Sequence, residues 1–148
     1  MRLKSWVIVV GIVIVLSISF FLSENMIIVP KVSVSSMKIQ IGGLVNSSLV
    51  VTLKIYNPNP TPITITGIEY ALYCDDGVMI SKENITKSIV IPGESVEYLD
   101  LVVKMRYGTL KAIWGELEAT DRINWYLKGK LYAKLEDKNI TISFNWRN

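Results

Sequence analysis

The stretch LVVTLKIYNPNPTP, Leu49 to Pro62, alternates through its first half and then stops. Leu49, Val51, Leu53 and Ile55 fall on one side, Val50, Thr52, Lys54 and Tyr56 on the other. That period of two is the mark of a strand with one buried face. Asn57-Pro58-Asn59-Pro60-Thr61-Pro62 ends it, because three prolines at alternate positions remove three backbone donors and fix three φ angles. The asparagines are of the type that bonds backbone groups left unpaired at such a break, so they read as the end of a core strand rather than as recognition chemistry.

Upstream, Val32 and Val34 share one phase and Met37, Ile39 and Ile41 share another, and a β-bulge at Ser35-Ser36 accounts for the slip. Gly42-Gly43 and Asn46-Ser47-Ser48 turn the chain into the Leu49 strand. Downstream, Ile63 and Ile65 alternate, then the phase slips near Gly67 into Ile68, Tyr70, Leu72 and Cys74. Asp75-Asp76-Gly77 is a tight-turn signal. Ile85, Ile89 and Ile91 belong to the next strand, Pro92-Gly93 turns it, and Leu99, Leu101, Val103 and Met105 line the return.

Leu110, Ile113, Trp114 and Leu117 then fit one face of a short helix, with Gly108-Thr109 at its start and Ala119-Thr120-Asp121 at its end. Ile123, Trp125, Leu127, Gly129, Leu131, Ala133 and Leu135 alternate again. After the turn Glu136 to Asn139 come Ile140, Ile142, Phe144 and Trp146. About seven strands with polar turns and one helix predict an all-β, antiparallel two-sheet sandwich.

The N-terminus is of another kind. Trp6 to Leu22 is an uncharged apolar run, preceded by Arg2 and Lys4 and followed by Ser23-Glu24-Asn25. It reads as one transmembrane helix with the N-terminus cytoplasmic and the rest outside. A cleaved signal peptide is the competing reading. The expected division is a basic cytoplasmic segment at 1–5, a signal-anchor at 6–22, a juxtamembrane linker at 23–30 and an exported sandwich at 31–148. That last part carries fourteen Lys and Arg against twelve Asp and Glu, too mild a balance to argue for a nucleic-acid partner. Cys74 is the sole cysteine and reads as a buried small hydrophobe. The chain has no histidine, which excludes histidine-based triads and histidine-ligated metals.

In this order the motifs resemble the late embryogenesis abundant type 2 family, also called the water stress and hypersensitive response domain. The likeness runs from about Ser36 to Ala133. It rests on the strand ending in Asn57-Pro58-Asn59, on Ile68, Tyr70 and Leu72, and on the Asp76-Gly77 and Ile91-Pro92-Gly93 turns. It ends in INWYLKGKL, Ile123 to Leu131, with Gly129 at the family's glycine. The resemblance implies an immunoglobulin-like or fibronectin-III-like sandwich with one helix and links the protein with desiccation and other stress. It brings no catalytic, metal or cofactor residues. Scarce Gln with abundant Ile and Val leans toward a thermophilic, archaeal source.

Other candidates have plainer explanations. Asp75-Asp76 fits turn chemistry better than a calcium loop. Glu94, Glu97 and Asp100 lie at turns or wet faces, where paired carboxylates lack the desolvation that acid-base work needs. Ser81-Lys82 would point to opposite faces of a strand. Tyr126, Lys128, Lys130, Tyr132 and Lys134 share one face of one strand and could meet anionic lipid, glycan or nucleic acid, but read as a solvated face whose lysines guard an edge. Asn46, Asn84 and Asn139 head three glycosylation sequons beside predicted turns. The resulting expectation is a non-enzymatic, membrane-anchored envelope protein that binds an unknown partner or protects. The alternative is a structural or adhesive subunit of a surface assembly, with Val29 to Ile41 as a strand donated to a neighbour.

Overall fold

The computed structural model describes residues 12–14, 27–40, 47–74, 77–106, 108–109, 111, 113–115 and 123–148. Among them are the strands β1 (Lys31–Gln40), β2 (Ser48–Asn57), β3 (Ile63–Cys74), β4 (Val78–Ile91), β5 (Ser95–Lys104), β6 (Trp125–Leu135) and β7 (Lys138–Arg147). All pairings are antiparallel, in a three-stranded sheet ordered β1-β2-β5 and a four-stranded sheet ordered β4-β3-β6-β7.

The alternating apolar positions meet between the two sheets. Leu49, Val51, Leu53 and Ile55 of β2 belong to one cluster with Ile68, Leu72, Leu127 and Leu131 of the facing sheet, all at most 1% exposed. Burying such side chains contributes roughly 1.5–3 kcal/mol each, which makes this interface the main source of stability. Cys74 is buried in the same cluster. The bulges stand where the phase slips placed them, with register shifts between Val34 and Ser36 and between Ile65 and Gly67. A further shift between Leu72 and Tyr73 against β4 had no counterpart in the apolar pattern.

Gly129 lies where β3 and the Phe144 ring close over β6. A Cβ there would overlap the Glu69 carbonyl oxygen and come within 2.6 Å of Phe144 Cζ. Gly129→Ala is therefore expected to cost about 1–3 kcal/mol through overpacking. Thermal unfolding measures it, and an unchanged midpoint would contradict the packing seen.

Three expectations are corrected. The lysines of β6 do not guard an edge, because β6 sits between β3 and β7. Ile113 is buried while Trp114 is 58% exposed, so the two do not share the inward face. Adjacent helical residues are about 100° apart, and the wide face drawn through both was too generous. Gly108 and Thr109 are already helical rather than preceding the helix. Leu110, Leu117, Ala119-Thr120-Asp121, Gly42-Gly43, Asn46 and Asp75-Asp76 lie outside the described residues. β1 pairs with β2 of its own chain, so donating it to a neighbour would require its release. Of the expected membrane span only Ile12, Val13 and Ile14 are described, helical and exposed. Among the described residues no helix is long and apolar enough to cross a membrane.

Candidate functional site

Asn57-Pro58-Asn59 stands at one end of the sandwich, where the chain passes twice between sheets, from β2 to β3 and from β4 to β5. Asn57 is fully buried. Its Nδ2 donates to the carbonyls of Thr61 (2.9 Å), Pro92 (3.1 Å) and Ile91 (3.3 Å), while its Oδ1 accepts from the Asn59 backbone N–H (3.0 Å) and Asn59 Nδ2 (3.2 Å). Asn59 in turn holds the backbone of Ile28, accepting from its N–H at 2.9 Å and donating to its carbonyl at 2.8 Å. The motif thus bonds more than local backbone: it ties both crossings to the segment that leads into β1. No polar atom of Asn57 is left to face a ligand, and its role in this geometry is to hold the fold.

The exposed chemistry is elsewhere, on the outer face of the four-stranded sheet. Cross-strand register puts Tyr73, Tyr126 and Arg147 in one row, Lys82, Ala71, Lys128 and Asn145 in the next, and Asn84, Glu69, Lys130 and Ser143 in a third. Ala71 is 7% exposed yet lies outside the core cluster, because the longer side chains around it cover it from the solvent side. A small residue among long ones leaves a depression. One hollow of about 450 Å³ lies over Ala71 and another of about 560 Å³ lies beside it, and the two share Tyr73, Tyr126 and Lys128 as walls.

The rings of Tyr73 and Tyr126 are 6.0 Å apart and tilted by 34°. Lys128 Nζ stands 5.4 Å from the centre of the Tyr73 ring, and Arg147 Cζ stands 5.1 Å from that of Tyr126. Such contacts hold a cation loosely at a defined place without neutralising it. Further along, the Tyr132 hydroxyl donates to Glu69 Oε2 at 2.9 Å. That bond to a carboxylate is the main reason its pKa is raised above the usual tyrosine value, with burial and the Glu69 charge adding to it. Tyr70, on the inner side, is also raised, chiefly by burial and then by the Glu83 charge, with Ser81 opposing. Its hydroxyl is buried without a hydrogen bond of good geometry.

The anticipated stripe on β6 is therefore real but incomplete. Tyr73, Lys82, Ala71 and Arg147 come from three other strands, and only the pairing register brings them to it. The acidic candidates do not converge. Asp100 accepts from Thr52 Oγ1 at 2.6 Å on the outer face of β5, whereas Glu97 falls on the opposite side of that strand. Among the described residues no group of three acidic or cysteine side chains could hold a metal ion. Asn84 and Asn139 are exposed on β4 and β7, the two edges of the four-stranded sheet. Each shares the outer face with the threonine of its sequon.

Residues 52–147 match the family described as late embryogenesis abundant protein, type 2. The chain belongs to the late embryogenesis abundant family. The matched region runs from within β2 to the end of β7, so the family domain takes in the two crossings beside Asn57 and the basic–aromatic face. No curated protein matches the chain.

Solved structures show the same fold at low identity. A solution structure from Arabidopsis thaliana is 20% identical, with a TM-score of 0.65 over 83% of each chain. Another, of a protein described as late embryogenesis abundant, is 19% identical with a TM-score of 0.62, over 88% of this chain and 76% of that one. A crystal structure of a protein from Archaeoglobus fulgidus is 16% identical with a TM-score of 0.57, over 78% of this chain and 94% of that one. At these identities the fold is what is shared.

Proposed function

We propose that this is a non-enzymatic protein of the cell envelope. In this reading a membrane helix over residues 6–22 anchors an exported late embryogenesis abundant domain over 31–148, and that domain protects or binds under desiccation or osmotic stress. The family match over residues 52–147 carries the reading. The uncharged run Trp6 to Leu22 behind Arg2 and Lys4 supports the anchor and its orientation. The three-plus-four strand order supports a place among immunoglobulin-like or fibronectin-III-like sandwiches. Asn57, Pro58, Asn59 and Gly129 are the family's structural signature in this chain. Asn46, Asn84 and Asn139 are proposed glycan acceptors, and peptide mapping of protein from its native host tests them.

The experiment for the main reading is deletion in the native host, followed by drying, salt and heat challenge. Loss of survival, restored by the full chain but not by a chain lacking residues 1–26, is the expected result. Survival equal to the parent strain would sink the protective role.

A structural subunit is the second reading, favoured by one observation. The edge strand β5 exposes Val96, Tyr98 and Val102 to solvent, and exposed apolar edges are prone to self-association. A single species of protomer mass in detergent would count against it.

A further inference from the structure

We propose that the distal half of the basic–aromatic face binds an acidic polysaccharide, a polymer carrying carboxylate or sulfate groups on sugar rings. The proposal rests on the reading of an exported, anchored domain. Charge is the first ground. Lys82, Lys128 and Lys130 line the hollow over Ala71 and Arg147 lines the adjoining one, and none of the four pairs with a carboxylate among the described residues. Among the described residues the one carboxylate that the strands bring to this part of the face is Glu69, which already accepts the Tyr132 hydroxyl. Cations without a carboxylate partner on one sheet face attract anions, and a guanidinium fits carboxylate or sulfate through paired hydrogen bonds.

Shape and ring chemistry are the second ground. Tyr73 and Tyr126 form an amphipathic wall beside those cations, with an apolar ring face and a polar tip. A charged sugar offers the complement, a flat C–H face with an anionic group at its edge. The hollows are partly open to solvent and adjoin through Tyr73, Tyr126 and Lys128, which suits a polymer laid over the sheet rather than an enclosed small molecule.

Position is the third ground, and it chooses among anions. Asn59 fixes Ile28, and with it the approach from the proposed anchor, at the end of the sandwich where β3 begins. The row Tyr73–Tyr126–Arg147 lies at the other end. From the row of Thr64 and Lys134 it is nine residues along β3, roughly 30 Å at about 3.3 Å per residue. That exceeds the distance of about 8–10 Å over which a charged surface acts at physiological salt. An upright domain therefore presents this site away from its own bilayer and toward the polymers of the envelope, and outside the cell nucleic acid is a poor candidate.

The test uses the full chain in nanodiscs of zwitterionic lipid, with polygalacturonate and dextran sulfate as probes and neutral dextran as control. Saturable binding to the acidic polymers is expected, weakened on the order of tenfold between low and physiological salt, with none to neutral dextran. Lys128→Glu/Arg147→Glu is expected to lose about tenfold or more in affinity with an unchanged unfolding midpoint. Lys54→Glu/Lys104→Glu, on the outer face of the other sheet, is expected to bind as the parent does. Equal binding by the Lys128→Glu/Arg147→Glu variant overturns the site. A preference for anionic-lipid vesicles or single-stranded DNA over the acidic polymers overturns the ligand class. Protease shaving of intact cells separately reports export, so a failed export reading is told apart from a failed binding site.

Discussion

Replacing Asn57 with Ala is expected to lower the unfolding free energy by about 3–4 kcal/mol and the midpoint of thermal unfolding by roughly 10–15 °C. The side chain is fully buried, and removing it strands groups in both crossings. The carbonyls of Thr61, Ile91 and Pro92 lose a donor, and the backbone N–H and side-chain amide of Asn59 lose their acceptor. An unpaired buried polar group costs about 1–3 kcal/mol, and partial entry of water at the end of the sandwich keeps the sum below the full count. Asn57→Asp is expected to recover little, because a carboxylate cannot donate to the three carbonyls and would be a charge buried at the same place. Denaturant unfolding of the two variants measures both, and parental stability in Asn57→Ala would refute the structural role of the motif.

Gly93→Ala is expected to destabilise by about 3 kcal/mol, at the upper end of overpacking effects. A Cβ at this position would run into the Pro60 carbonyl, whose oxygen and carbon both belong to backbone, and would approach the Asn59 oxygen at 3.1 Å. No rotamer change relieves that overlap. Glu94, the next residue, takes the left-handed conformation at a φ of 54° and donates its N–H to the Asn59 carbonyl at 2.9 Å. The two crossings are thus pressed against each other with glycine as the only side chain that fits between them. Calorimetric unfolding of Gly93→Ala checks this, and an unchanged midpoint would mean that the crossings can separate without loss.

Much of this was legible in the chain. The alternation in β2, β5 and β6 identified the core faces, because a sheet with one wet side imposes a strict period of two. The slips near Ser35 and Gly67 marked bulges for the same reason. The Asn-Pro-Asn segment signalled the end of a strand, but its partners did not show. Ile28 and Asn59 are 31 residues apart, and Asn57 and Ile91 are 34 apart, so nothing local connects them.

The candidate face was half visible. Tyr126, Lys128 and Lys130 announced themselves on one strand, yet their meaning depends on what lies beside them. Strand order turned an edge-guarding stripe into the middle of a sheet, and register added Tyr73, Lys82 and Arg147. Ala71 carries no sequence signal at all. Its importance is that its neighbours are long and it is not.

The central claim is that the Asn57–Asn59 motif builds the domain while the outer face of the four-stranded sheet does its work. Complementation of a deletion strain under drying or osmotic challenge tests that most directly, with the full chain compared with Lys128→Glu/Arg147→Glu at matched membrane abundance. The account predicts that the variant, as stable as the parent in vitro, fails to restore survival. Full rescue by the variant would contradict it.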